Sequence, residues 1–203
     1  MANDTNYWGL RPVKHISGAP WNGVTEMCYV GADYGVALYI GDPVQIGTDI
    51  TESDATGKYT SIELAGHATT SPIYGVITSF VDHEDRANKK VWKPASTESY
   101  VNVCVDPTVV YLIRGDGSGT PIRDWVFSNA VMVAGTSSTV TGYSGYGLDE
   151  STPAQTLADP LLILRVANLP DNTLGDNCVW EVLINTHQLR AAATGNVTGI
   201  NKT

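Results

Sequence analysis

Apolar residues along this chain recur with a period of two far more often than with a period near 3.6. The clearest case runs from Ser99 to Asp106. Val101, Val103 and Val105 fall on one face there, and Tyr100, Asn102 and Cys104 on the other. That alternation is what a half-buried strand requires. Shorter stretches of the same kind are residues 24–30, Val36 to Ile40 closed by Gly41-Asp42-Pro43, Val44 to Ile46, and Ile62 with Leu64 before Gly66. Further strands are expected over Ile73 to Val81, with Gly75 marking a bulge, and over Val109 to Arg114, Trp125 to Val133, Leu161 to Ala167 and Cys178 to Asn185. Gly (20) and Pro (10) are spread along the chain and divide these runs into short pieces. One short helix is expected over 151–159, capped by Ser151 or Thr152, with Pro153 in its first turn and Pro160 at its end.

The expected class is therefore all-β, in a single domain, with few short helices. A chain of 203 residues is long enough to bury a core without staples. Residues 1–23 are rich in Asn, Pro, Trp and Gly and read as an extended N-terminal arm. Residues 24–190 form the body, and residues 191–203 read as a loose C-terminal tail.

Composition narrows the function. Lys plus Arg is 12 and Asp plus Glu is 21, a net charge of −9. A chain this acidic is repelled by phosphate backbones, so nucleic acid is not an expected partner. No apolar run approaches the ~20 residues of a membrane helix, and no membrane partner is expected. The first residues, Met1-Ala2-Asn3-Asp4-Thr5-Asn6, lack the basic and apolar regions of a signal peptide. Synthesis in a reducing cytoplasm is expected. The three cysteines, Cys28, Cys104 and Cys178, are too few and too scattered for a disulfide framework and read as buried small hydrophobes.

Catalytic templates fail one after another. No Gly-x-x-x-x-Gly-Lys-[Ser/Thr] occurs, and Gly115-x-Gly117-x-Gly119 lacks the spacing of a dinucleotide fingerprint and reads as a flexible turn. Gly142-Tyr143-Ser144-Gly145 departs from the nucleophile elbow. His15, His67, His83 and His187 are not spaced as metal ligands. Asp82 to Asp85, continuing through Arg86, Lys89, Lys90 and Lys93, reads as a solvated charged loop. Asp49 to Gly57 lacks the register of a calcium loop. Arg114-Gly115-Asp116 spells an adhesion tripeptide by chance, and Asp149-Glu150 reads as surface charge. No catalytic residue, metal or cofactor is expected, and the chain is expected not to be an enzyme.

Several stretches, taken in order, resemble the decoration or cement proteins of short-tailed and related bacteriophage heads. They are Gly9 to His15 with Gly18 to Gly23, Val36 to Val44, Tyr74 to Ile77, Pro94 to Thr97 with Tyr100 to Pro107, and Leu162 to Val166 through Asp171-Asn172 to Trp180–His187. The resemblance implies a β-sandwich, jelly-roll-like body in a virion protein that binds the capsid exterior and staples neighbouring major capsid subunits. It also implies self-association, as a homodimer or homotrimer. Tyr7, Trp8, Arg11 and Trp21 are the expected anchors of the arm on a partner, because aromatic and Arg side chains dominate interface energetics. The competing reading is that they fold back on their own domain. A second functional reading is a carbohydrate- or host-receptor-binding module of a virion, with Tyr143 to Tyr146 as its most sugar-like patch.

Overall fold

The computed structural model describes residues 3–48, 54–81, 91–151, 153–154 and 156–190. The regular structure of these residues is almost wholly β and forms twelve short strands: β1 (Arg11–His15), β2 (Glu26–Val30), β3 (Pro43–Ile46), β4 (Thr60–Leu64), β5 (Gly75–Phe80), β6 (Ser99–Cys104), β7 (Val109–Arg114), β8 (Asn129–Ala130), β9 (Met132–Ala134), β10 (Tyr146–Leu148), β11 (Leu161–Val166) and β12 (Val179–Ile184). Five form an antiparallel sheet in the order β1-β7-β12-β11-β8. Five others, β2-β4-β3-β5-β6, close into a small barrel, and β9 with β10 makes a two-stranded ribbon. Within the barrel β2 and β4 run parallel, while the remaining pairs are antiparallel.

Strand alternation explains how barrel and sheet join. Val101 and Val103 of β6 fill the barrel with Cys28, Val30, Leu38, Val44, Ile62, Tyr74 and Ile77. A barrel this narrow is filled by its own side chains. Cys104, on the opposite face of β6, and Val76 of β5 belong instead to the core under the sheet, with Tyr111, Ile113, Leu161, Ile163 and Trp180. Strands β5 and β6 thus have apolar side chains on both faces, and the two assemblies share one interior. The Tyr111 hydroxyl crosses this junction and donates to the Cys104 carbonyl at 3.3 Å.

Several expectations need correction. Residues 151–159 do not form a helix among the described positions. Ala154 exchanges both backbone hydrogen bonds with Asn129 instead, which extends the segment and covers the outer edge of β8. The helical geometry described is one 3-10 turn, Arg123–Trp125. Val36 to Ile40 contributes isolated bridges at Leu38 and Ile40 rather than a strand. In β5 the register shifts between Ile77 and Ser79, not at Gly75. Within the expected arm, Arg11–His15 is the edge strand of the sheet, and its own free side is met by Pro20. The expected C-terminal tail, 191–203, lies outside the described residues.

Candidate interaction face

The N-terminal segment reaches the body at a crossing of two glycines. Gly9 and Gly41 both have positive φ, +72° and +95°. A Cβ on Gly9 would lie 2.3 Å from the Gly41 carbonyl oxygen, and one on Gly41 would lie 2.3 Å from that of Trp8. No L side chain fits either place, and the left-handed backbone favours glycine as well. Two hydrogen bonds fasten the crossing: Leu10 N–H to the Gly41 carbonyl at 2.9 Å, and Gly9 N–H to the Tyr146 carbonyl at 3.2 Å.

This crossing positions the aromatic residues of the segment. The Tyr7 ring lies against Gly135 and Gly147, and its hydroxyl donates to the Asp116 carbonyl at 3.2 Å. Burial raises the Tyr7 pKa. Trp8 carries two guanidinium groups over its ring, Arg114 at 4.3 Å and Arg11 at 4.8 Å from the centroid. Arg11 also lies over Tyr143, at 4.7 Å. The result is a continuous ladder, Arg114–Trp8–Arg11–Tyr143, assembled from three distant parts of the chain. Trp21 does not join it. It packs against the core under the sheet, and its backbone N–H donates to the Val13 carbonyl at 3.1 Å.

The two arginines differ. Arg114 is 7 % exposed. Its Nη1 donates to the carbonyls of Asp4 and Asn177, and its Nη2 faces the Asp4 carboxylate at 3.7 Å. Burial lowers its pKa, and the Asp4 carboxylate works against that shift. The cleft of about 290 Å³ beside it, lined by Trp8, Leu169, Asn172 and Val179 among others, therefore has a cation already committed to its own chain. Burial of Arg114 also means that the Arg114-Gly115-Asp116 triplet is not displayed. Arg11 is exposed, and among the described residues its guanidinium meets rings but no hydrogen-bond acceptor or carboxylate.

Around Arg11 and Tyr143 lies an apolar rim. Ile40 is hydrogen-bonded to both Gly142 and Ser144, and Gly142 is packed against Val91. Val140, at the tip of the 138–142 turn, is 88 % exposed, while Val91 and Tyr143 are 45 % and 38 % exposed. Next to them Tyr39 stacks on Trp92 with centroids 5.4 Å apart.

Lys93 and Glu150, expected in solvent, are interior. Lys93 is 1 % exposed, and its Nζ donates to the carbonyls of Pro94 (3.1 Å), Tyr34 (3.3 Å) and Val36 (3.4 Å). The rest of that loop, 82–90, lies outside the described residues, as do 49–53 of the calcium-like stretch. Glu150 is fully buried, and its carboxylate accepts from Trp180 Nε1 at 3.0 Å and from the amides of Gly117 (2.9 Å) and Asn177 (3.1 Å). A Cβ on Gly115 would fall 1.9 Å from its Oε1, so the glycine-rich turn is a fitted cradle for this side chain. Burial raises the Glu150 pKa, and the Trp180 and amide donors oppose that shift.

The three cysteines are free and buried. Burial pushes the thiols of Cys28 and Cys178 up to about 12 and raises that of Cys104, which makes them poor nucleophiles. Among the described residues no group of three His, Cys, Asp or Glu is placed to hold a metal ion, and no helix is long and apolar enough to cross a membrane.

No protein-family model, curated protein or solved structure matches this chain. Sequence reasoning named Trp8 and Arg11 as anchors and Tyr143 as part of a separate sugar patch. Their meeting, and the part played by Arg114, depends on the crossing at Gly41, for which no one-dimensional signal exists. Tyr146, the other half of that patch, is buried in the core under the sheet, with the exposed His67 ring 5.8 Å from its own.

Proposed function

We propose that this chain is a non-enzymatic structural protein of a bacteriophage virion. It binds the outer surface of the capsid and staples neighbouring major capsid subunits. The observation that carries the reading is the face made by Arg11, Tyr143, Val140 and Val91 beside the Tyr39–Trp92 pair. Arg, Tyr and Trp are the residue types enriched at the centres of protein interfaces, and exposed aliphatic neighbours supply the area that excludes water around them. The ordered resemblance to capsid decoration proteins and the net charge of −9 support the same assignment. Negative charge is no handicap on a shell exterior, away from packaged nucleic acid. In this reading the barrel packed on the five-stranded sheet is a variant of the sandwich or jelly-roll body expected of such proteins. Self-association as a dimer or trimer would multiply modest contacts into avidity.

The test is to mix the purified chain with expanded shells of the phage that encodes it. Saturable co-sedimentation at a fixed number of copies per capsomer is expected. Absence of binding to expanded or mature shells would end this proposal.

A second reading, a carbohydrate- or receptor-binding module, draws on a different surface. Tyr29, Tyr59 and Tyr100 cluster outside the barrel with centroids 5.1–5.4 Å apart. Glycan-array binding that disappears in Tyr100→Ala would favour it, and an array at background for the wild type would remove it.

A further inference from the structure

Arg11 is the exposed member of a ladder whose other cation is already engaged by its own chain. Arg114 has Asp4 and two carbonyls, whereas Arg11 has two rings and no acceptor among the described residues. We infer that Arg11, held against Trp8 and Tyr143, is a receptor for a carboxylate on the partner protein, supplied by an Asp or Glu side chain. The inference rests on the reading of this face as an interface and specifies what its partner must present.

Three features carry it. First, the Trp8 and Tyr143 rings hold the guanidinium from two sides, so less side-chain freedom is lost when a ligand arrives. Second, contact with the rings engages the positive charge without consuming an N–H donor, and the guanidinium meets no hydrogen-bond acceptor among the described residues. Its N–H groups match a carboxylate two at a time, a geometry that an ammonium group does not offer. Third, Tyr143, which the guanidinium touches, belongs to a turn that carries the exposed Val140 and packs on the exposed Val91. Docking would cover these side chains and remove water from the charge pair, which strengthens it. Phosphate shares the acceptor geometry, but a nucleic acid must approach a molecule of charge −9. A protein carboxylate held within an otherwise complementary surface avoids that long-range repulsion.

The test has two arms, both using the full chain. In the first, the chain labelled with ¹⁵N-arginine is titrated with acetylated tetraglutamate amide at low salt. A saturable shift of the Arg11 Nε–Hε resonance is expected, lost at high salt and in Tyr143→Leu. An unmoved Arg11 resonance overturns the carboxylate receptor. In the second arm, wild type and Arg11→Lys are compared for binding to shells, with thermal melting to establish that both are folded. Arg11→Lys keeps the charge but loses the planar fork, and binding at least about tenfold weaker is expected. Equal binding of the two overturns the receptor while leaving shell binding intact. Failure of the wild type to bind overturns the capsid reading, and the peptide titration then decides the receptor alone.

Discussion

Lys93 and Arg11 are both held against aromatic rings near the barrel, and their surroundings are opposite. Lys93 lies 5.3 Å from the centre of the Tyr34 ring, is almost wholly buried, and has its ammonium directed at three backbone carbonyls. Those carbonyls belong to Tyr34, Val36 and Pro94, in segments that form no regular strand. The lysine supplies the hydrogen bonds that a sheet ladder would otherwise provide. Arg11 is positioned by rings in the same way, yet it is exposed and its donors meet no acceptor among the described residues. The comparison separates a cation that organises the fold from one that is free to recognise something else. Glu150 belongs with Lys93: four donors, the Cys178 thiol among them, and a glycine cradle hold it within its own chain.

The largest expected effect tests the architectural half of that contrast. Lys93→Met should take the ammonium donor from the Tyr34, Val36 and Pro94 carbonyls, of which the Tyr34 carbonyl keeps the Ser96 amide, and cost about 3 kcal/mol of stability. Denaturant unfolding measures this directly. A variant as stable as the wild type would show that Lys93 is not organising the segments around it.

Gly9→Ala comes next. A methyl group 2.3 Å from the Gly41 carbonyl, on a backbone at φ +72°, must push the two segments apart. A loss of about 2 kcal/mol is expected. Hydrogen exchange should quicken at the Gly9 and Leu10 amides, which are bonded across the crossing, while Val101 and Val103 inside the barrel stay protected. Uniform deprotection would mean that the crossing is part of the global fold rather than a local clasp for the Trp8–Arg11 ladder.

A buried acid and a buried base give a pH-dependent test. Burial raises the Asp42 pKa from the ordinary 3.8 to about 6. The folded state therefore holds this proton more tightly, and the contribution of Asp42 to stability falls as pH rises from about 4 to about 6. Burial lowers the His187 pKa from 6.5 to about 4. Its contribution is complete above pH 6.5 and is lost as pH falls toward 4. The two slopes oppose each other, so the wild-type melting temperature should vary little across this range. Asp42→Asn should uncover the His187 slope, giving a melting temperature that climbs from pH 4 to pH 6. It should also add about 2 kcal/mol at pH 7. Parallel curves for the two proteins would contradict the assignment.

The smallest expected effect on stability belongs to Arg11→Ala. An exposed cation–π contact is worth roughly 0.5–1 kcal/mol. The variant should fold almost as well as the wild type and fail at the partner. If unfolding instead shows a cost like that of Lys93→Met, the distinction between the two cations collapses.

Much of the fold was legible because strand alternation is local. Val101, Val103 and Cys104 point where their spacing says they should, and β7, β11 and β12 fall within the apolar runs that predict them. The misses have local causes too. β1 carries Pro12 and two basic residues and does not look like a strand until it pairs with β7. β10 is hidden in a Gly/Tyr-rich stretch, where Gly147 gives no side chain to the pattern. The helix expected over 151–159 had sound capping residues, but a bridge to Asn129 outweighs the propensity of a segment too short to hold a helix by itself. The burial of Lys93 and Glu150 was not legible, since each depends on acceptors or donors brought from far along the chain. The candidate site was half legible: residue types named Trp8 and Arg11, while their junction with Tyr143 and Arg114 is a product of the tertiary fold.

The account turns on which surface meets the partner. Cryo-electron microscopy of shells saturated with the chain would show that most directly. The account predicts that Arg11, Tyr143 and Val140 lie in the contact, with an acidic side chain of the shell opposite Arg11. A decorated shell in which this face points to solvent, and another surface makes the contact, would contradict it.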